Sequence, residues 1–352
     1  MRPQHLIAVA TGVAGLVAGW AIGNTLGRPG EVALDQPTTS TRPAIEPSTL
    51  GNQVRALQGW ELIVARATDI TAAGATAVET WQSDWQTPSA RDTPGELRLV
   101  AWNSDGSRIG GLDTAPRPVL YMGRGTAMEP VAVAVTSFAW HVTDPDVLVW
   151  TGDSGDLWRW NLESDPALVA SQLGTGAMVV AAADWGYAVI HEGVMTKLGP
   201  EGDVRDGTAA HLSPGFGFPT TGRPIVILGE EGTAGALLNP LTGQRVDLDA
   251  APSHAMVAPD GSRYAVTSPG GLGRTRVQVR DEGTVELDIT IPESVFLDWQ
   301  GNVIVMAQLQ EEPASVGTGT ARPLYFLDLG ASAAVRVEYD PGFIAGAVLR
   351  ER

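Results

Sequence analysis

The feature that most constrains this chain is a spacing. Residues 147–162 read Val-Leu-Val-Trp-Thr-Gly-Asp-Ser-Gly-Asp-Leu-Trp-Arg-Trp-Asn-Leu, two apolar and aromatic runs around a polar, glycine-containing turn, which is the composition of a β-hairpin. Hairpins of this kind begin near Pro118, Leu157, Val194, Gly235, Arg276 and Leu324, separated by 39, 37, 41, 41 and 48 residues. An earlier apolar run accompanies them at 97–106, 137–144, 179–186, 255–261 and 294–301, with a weaker member at 211–215. After residue 55 no stretch holds a 3.6-residue apolar period for three turns, so helices are not expected there.

Four short strands per period is the repeat logic of a propeller blade, and the chain is expected to be an all-β protein with a β-propeller of seven blades, six being the alternative. Six units account for residues 97–339. The strands expected near 60–65 and 75–81, together with 343–349, supply a seventh built from both ends of the domain, which closes the ring and removes exposed sheet edges. The 42 Gly and 24 Pro fit a fold with many turns. Eleven Trp against five Tyr, several of them inside apolar runs, fit a packed β core.

The turns carry a recognisable signature. Asn103-Ser-Asp-Gly-Ser107 and Ala258-Pro-Asp-Gly-Ser262 resemble the Asp-Gly turn of the WD-repeat-like and TolB-like propeller superfamily, over roughly residues 56–352, with Asp105, Gly106, Asp260 and Gly261 as the motif residues. Residues 240–246 are similar to the Thr-Gly turn of pyrroloquinoline-quinone-type propellers. No paired Gly-His and Trp-Asp recurs, so the chain departs from the strict WD repeat. Residues 151–158 resemble the Asp-box of sialidase-like propellers, with Leu157 in place of its Thr. That resemblance implies a structural turn in which Asp153 caps amides, Gly155 turns the chain and Trp158 packs between sheets.

Ahead of this domain, residues 6–26 hold no charged side chain. That is long enough to cross the hydrocarbon core of a bilayer. Residues 1–27 are expected to form one N-terminal transmembrane helix, with a cleaved signal peptide as the alternative, because Ala21-Ile22-Gly23 offers small residues to a peptidase. Either reading exports the propeller domain. Arg2 before the segment and an acidic flank after it place the N-terminus in the cytoplasm. Gly15, Gly19, Gly23 and Gly27 fall four apart and stack on one helix face, a seam suited to self-association or to a partner helix. Residues 28–55, with Pro29, Pro37, Pro43 and Pro47 among Thr and Ser, form an extended spacer.

The remaining chemistry is sparse. A net charge of −17 argues against nucleic acid as a partner. With no cysteine, thiolate catalysis and Cys-based metal sites are excluded. Gly152-Asp-Ser-Gly155 and Thr208-Ala-Ala-His211 match fragments of the chymotrypsin-type serine protease motifs, but in reversed order. Asp144, Asp146, Asp153 and Asp156 do not have the spacing of a calcium loop, and His141, His191, His211 and His254 are scattered singly. The Trp at 102, 140, 150, 158, 160, 185 and 299 are expected between blades rather than as a sugar-stacking platform. No catalytic residue, cofactor or metal is therefore assigned. The expected role is a membrane-anchored extracytoplasmic binding or scaffold module for an envelope protein or glycan, the alternative being a propeller-type carbohydrate lyase or hydrolase.

Overall fold

A computed structural model describes residues 60–351 other than 67–73, 82–88, 125–126, 207–225, 229–234, 240, 250–251, 272, 282–283, 309–323 and 338–343. All of these belong to one unit of the chain, Ala44–Arg352. Residues 1–59, with the expected anchor, its glycine seam and the spacer, lie outside the described residues, as does the weak run at 211–215. Among the described residues no helix is long and apolar enough to cross a membrane.

The described elements are strands, and they fall into meanders. The first three are β1 (Trp60–Arg66), β2 (Ala75–Trp81) and the long bent β3 (Ser89–Trp102), followed by β4 (Arg108–Asp113), β5 (Val119–Arg124) and β6 (Ala127–Val133). Next come β7 (Val135–Trp140), β8 (Val147–Gly152), β9 (Leu157–Asn161) and β10 (Ala167–Ala170), then β11 (Met178–Ala183), β12 (Gly186–His191), β13 (Val194–Leu198) and β14 (Val204–Asp206). A set of three comes after them: β15 (Val226–Leu228), β16 (Gly235–Leu238) and β17 (Arg245–Leu248). The last sets are β18 (His254–Val257), β19 (Arg263–Gly271), β20 (Arg274–Asp281) and β21 (Thr284–Pro292), then β22 (Ser294–Gln300), β23 (Val303–Gln308), β24 (Leu324–Asp328) and β25 (Ala333–Val337), and finally β26 (Ile344–Glu351).

The expected hairpins at Leu157, Val194, Gly235 and Leu324 are the starts of β9, β13, β16 and β24, with β5 and β20 within two residues of the others. Each is the third strand of its meander except β16, which is the second of three described strands. One sheet has seven strands in the order β26-β1-β2-β3-β4-β5-β6. Its β3 serves two meanders: Ser89–Asp92 pairs with β2, and Leu97–Trp102 pairs with β4. Among the described residues seven meanders can thus be traced, numbered as units 1 to 7, and unit 1 takes its first strand, β26, from the far end of the chain.

The burial pattern explains why the strands read as continuous apolar runs. Side chains alternate between the two faces of a strand. In β1, Leu62 and Val64 pack with β23 and β24 of unit 7, while Ile63 and Ala65 pack with Val100, Trp102 and Ile109 of unit 2. In β24, Leu324 and Phe326 face unit 1, while Tyr325 and Leu327 face unit 6. Each sheet is covered on both faces, so both sets of positions must be apolar. Core clusters lie between units 1 and 2, 2 and 3, 3 and 4, and 4 and 5, across 5, 6 and 7, and between 7 and 1. The succession closes on itself.

Candidate functional site

In an antiparallel meander the first and third turns lie at one end of the sheet and the second turn and the crossover to the next unit at the other. The ends of the domain belong to the first of these faces, because Trp60 at the start of β1 pairs with Glu351 at the end of β26. That face is held by polar bonds across every junction. Arg350 of unit 1 donates from Nη1 to the Gly106 carbonyl at 3.2 Å while paired with Glu61. Arg108 of unit 2 reaches Asp146 at 2.7 Å, and Asn103 Nδ2 donates to the Pro145 carbonyl at 2.9 Å. The Val142 amide of unit 3 donates to the Ala182 carbonyl of unit 4 at 2.9 Å.

The remaining junctions are alike. Lys197 Nζ of unit 4 donates to the Gly243 carbonyl of unit 5, and Asn239 Nδ2 of unit 5 to the Gly261 carbonyl of unit 6 at 3.3 Å. Arg263 of unit 6 donates to the Gly301 carbonyl of unit 7 at 3.2 Å and lies over the Trp299 ring. Asp298 of unit 7 accepts the Leu349 amide of unit 1 at 2.7 Å. Arg108, Lys197, Arg263 and Arg350 are drawn into junctions, whereas Arg205 and Arg245 on the same face are exposed and pair with Asp203 and Asp247 of their own hairpins.

The sequence motifs divide between the two faces. Asp105 and Asp260 lie on the latched face and do the same work: Asp105 Oδ1 accepts the Ser107 amide at 2.8 Å, and Asp260 Oδ1 accepts the Ser262 amide at 3.0 Å and its hydroxyl at 2.8 Å. Gly106 and Gly261 sit at φ +70° and +75°, the left-handed region that favours glycine. Burial works to raise the Asp260 carboxyl, but the Ser262 bonds and Arg263 outweigh it and hold it below its usual range. The junction arginines were legible in hindsight, since Arg108 and Arg263 each follow an Asp-Gly-Ser triplet.

Asp153, Gly155 and Trp158 belong to the opposite face, at the β8–β9 turn. Here the expectation for Asp153 fails. Its carboxylate is exposed and accepts no hydrogen bond among the described residues; the turn is closed instead by the Gly152 amide donating to the Asp156 carbonyl at 3.0 Å, with Ser154 Oγ donating to Asp156 Oδ2 at 2.8 Å. Gly155 is required, because at φ +80° a Cβ would lie 2.4 Å from the Gly174 carbonyl oxygen. Trp158 is partly buried against the cluster between units 2 and 3. Trp102, Trp140, Trp150 and Trp299 are buried, and Trp160 and Trp185 are half-buried against clusters, so the tryptophans serve the core.

On this second face the loops of units 2 to 4 join through backbone. The Val135 amide donates to the Pro118 carbonyl, Asp153 to Ala134, and Leu173 to Gly155, each at 2.9–3.0 Å. His191 Nε2 lies 3.2 Å from the Thr175 carbonyl oxygen. Ala134, Gln172 and Glu192, with φ of 57°, 61° and 49°, all lie here, an uncommon conformation for residues with a Cβ. The platform is joined by backbone bonds and exposes Val133, Asp153, Ser154, Gln172, Thr175 and Glu192. Among the described residues no three His, Cys, Asp or Glu side chains converge as a metal would need.

Comparison with protein-family models and with curated protein sequences finds no match. Among solved structures, a protein from Lactobacillus plantarum is similar with a TM-score of 0.52 at 14% identity, over 83% of this chain and 99% of its own. Apo AztD from Citrobacter koseri gives 0.51 at 10% identity, over 82% of this chain and 97% of its own. The chain is a β-propeller. TolB from Acinetobacter baumannii is also similar, at 14% identity and a TM-score of 0.48, over 83% of this chain and 67% of its own. At such identities the likeness concerns the fold, and what the propeller does must come from its own residues.

Proposed function

We propose that this propeller has seven blades and is a binding or scaffold module, held at the outer side of a bacterial cell membrane by its N-terminal segment and presenting its loop face to an envelope protein or glycan. The observation that carries the reading is the division of labour between the faces. The face on which both ends of the domain lie commits Arg108, Lys197, Arg263, Arg350, Asp146 and Asp298 to the junctions. The other carries an exposed loop platform joined by backbone bonds, and such a ring of loops serves recognition without special catalytic groups.

The test is cross-linking of the full-length protein in its membrane, with identification of the co-purifying chains. A reproducible envelope partner whose cross-links map to the second turns supports the reading; a protein that purifies alone and turns over a glycan contradicts it. The glycine seam is proposed to bring two anchors together. Replacing Gly19 and Gly23 by Leu is expected to abolish self-association in a membrane reporter assay, and unchanged association would refute the seam.

A further inference from the structure

One titratable side chain sits where two junctions meet. His141 comes directly after Trp140 at the end of β7 and is 6% exposed. Its Nδ1 lies 3.1 Å from the Asp144 amide nitrogen, 3.4 Å from that of Thr143 and 3.3 Å from the Thr143 hydroxyl. An amide can only donate, so Nδ1 carries no proton in this arrangement. Nε2 is 3.7 Å from the Asp184 carboxylate of unit 4, which is 88% exposed.

The turn that the imidazole closes holds its neighbours on both sides. Asn103 and Arg108 of unit 2 bond to Pro145 and Asp146 within it, and its Val142 amide bonds to Ala182 of unit 4. Unit 2 has a turn at the corresponding place, after Trp102, and there Asn103 supplies the acceptor: its Oδ1 takes the Arg108 amide at 2.9 Å. Both side chains follow a buried Trp and accept a backbone amide of their own turn, His141 that of Asp144 and Asn103 that of Arg108, but only His141 can titrate.

We propose that His141 is an acid-sensitive latch: protonation of Nδ1 turns the acceptor into a donor facing two other donors, opens the turn 141–146, and releases unit 3 from units 2 and 4 on the face that carries the ends of the domain. The charged groups acting on the ring are Asp184 from the end of β11, Asp144 from its own turn and Arg159 from β9. Burial is the largest influence and, with Arg159, outweighs the two carboxylates and the Ala183 backbone, so the ring is held neutral below its ordinary range. Asp184, though exposed, is the largest influence in the opposite direction. A histidine of depressed pKa contributes stability that is complete above the unfolded value of about 6.5 and declines as pH falls toward the folded value.

The experiment is hydrogen–deuterium exchange on the full-length protein in micelles at about pH 7.5 and about pH 5.5, with exchange times scaled for the intrinsic pH dependence. Protection in 141–147 and 179–184 is expected to fall at the lower pH, by up to about tenfold, while the turn 258–263 keeps its own. His141→Asn, which keeps an acceptor but cannot titrate, is expected to remove the difference. Asp184→Asn removes a carboxylate that favours the charged ring, so it is expected to leave the onset in place and deepen the loss at the lower pH, and it serves if the first variant does not fold. Equal protection at both pH values, equal loss in the control turn, or a loss that Asp184→Asn leaves unchanged or reduces would each overturn the latch.

Discussion

Deleting residues 341–352 is expected to lower the melting temperature by more than about 15 °C, or to abolish soluble folding altogether. β26 is the first strand of unit 1, in register with β1 from Trp60 to Arg66. It buries Val348 toward unit 2 and Ala347 and Leu349 toward unit 7. Burial of a Val or Leu side chain is worth about 1.5–3 kcal/mol, and removing the Leu349 amide takes from Asp298 a bond whose loss at a buried charged group costs about 1–3 kcal/mol or more. These terms consume much of a margin that in most proteins is only about 5–15 kcal/mol. Thermal unfolding monitored by circular dichroism checks it; a truncated protein that melts like the full one would mean the ring is not closed by this strand.

The second large effect is expected at Trp140. Its ring is fully buried between units 2 and 3, and its Nε1 donates to the Ala101 carbonyl at 3.0 Å. Unit 2 makes room for it with a glycine: a Cβ at Gly110 would lie 2.7 Å from the Phe138 ring and 3.3 Å from Trp140 Nε1. Trp140→Ala removes the ring and leaves a cavity in an interface that backbone latches prevent from collapsing, at a cost of about 3–5 kcal/mol. Trp140→Phe keeps most of the packing but strands the Ala101 carbonyl, at about 1–3 kcal/mol. The order of the two variants in denaturant midpoint is the check. If Phe costs as much as Ala, the hydrogen bond and not the packing governs the site.

Much of this propeller was legible because its physics is repetitive. Both faces of every sheet are covered, so strands such as β23 and β24 read as unbroken apolar runs, and the Asp-Gly turns mark where the first strand of a unit ends. Closure was legible too: the leftover apolar run at 343–349 had to pair with something, and the strands near Trp60 offered an edge. What could not be read from one chain was direction. Asp105 and Asp153 sit in similar-looking turns, yet the first accepts an amide on the latched face while the second points into solvent on the other. His141 looked like a scattered histidine because its partners, Asp144, Asp184, Arg159 and the Asn103–Pro145 bond, come from four places along the chain.

Ring closure is tested most directly by a cross-link between its two ends. Because the Leu349 amide donates to Asp298, it points away from β1, which makes Leu62 and Leu349 a pair without mutual hydrogen bonds. Cα atoms of such a pair lie about 4.5 Å apart, within the range a disulfide spans. The chain has no cysteine to interfere. Leu62→Cys with Leu349→Cys is expected to form an intramolecular disulfide under mild oxidation, leaving no free thiol, whereas Leu62→Cys with Ala347→Cys, two residues out of register, is expected to remain reduced. A Leu62–Leu349 cysteine pair that stays reduced in the folded protein, or that links only between molecules, would contradict the closed ring.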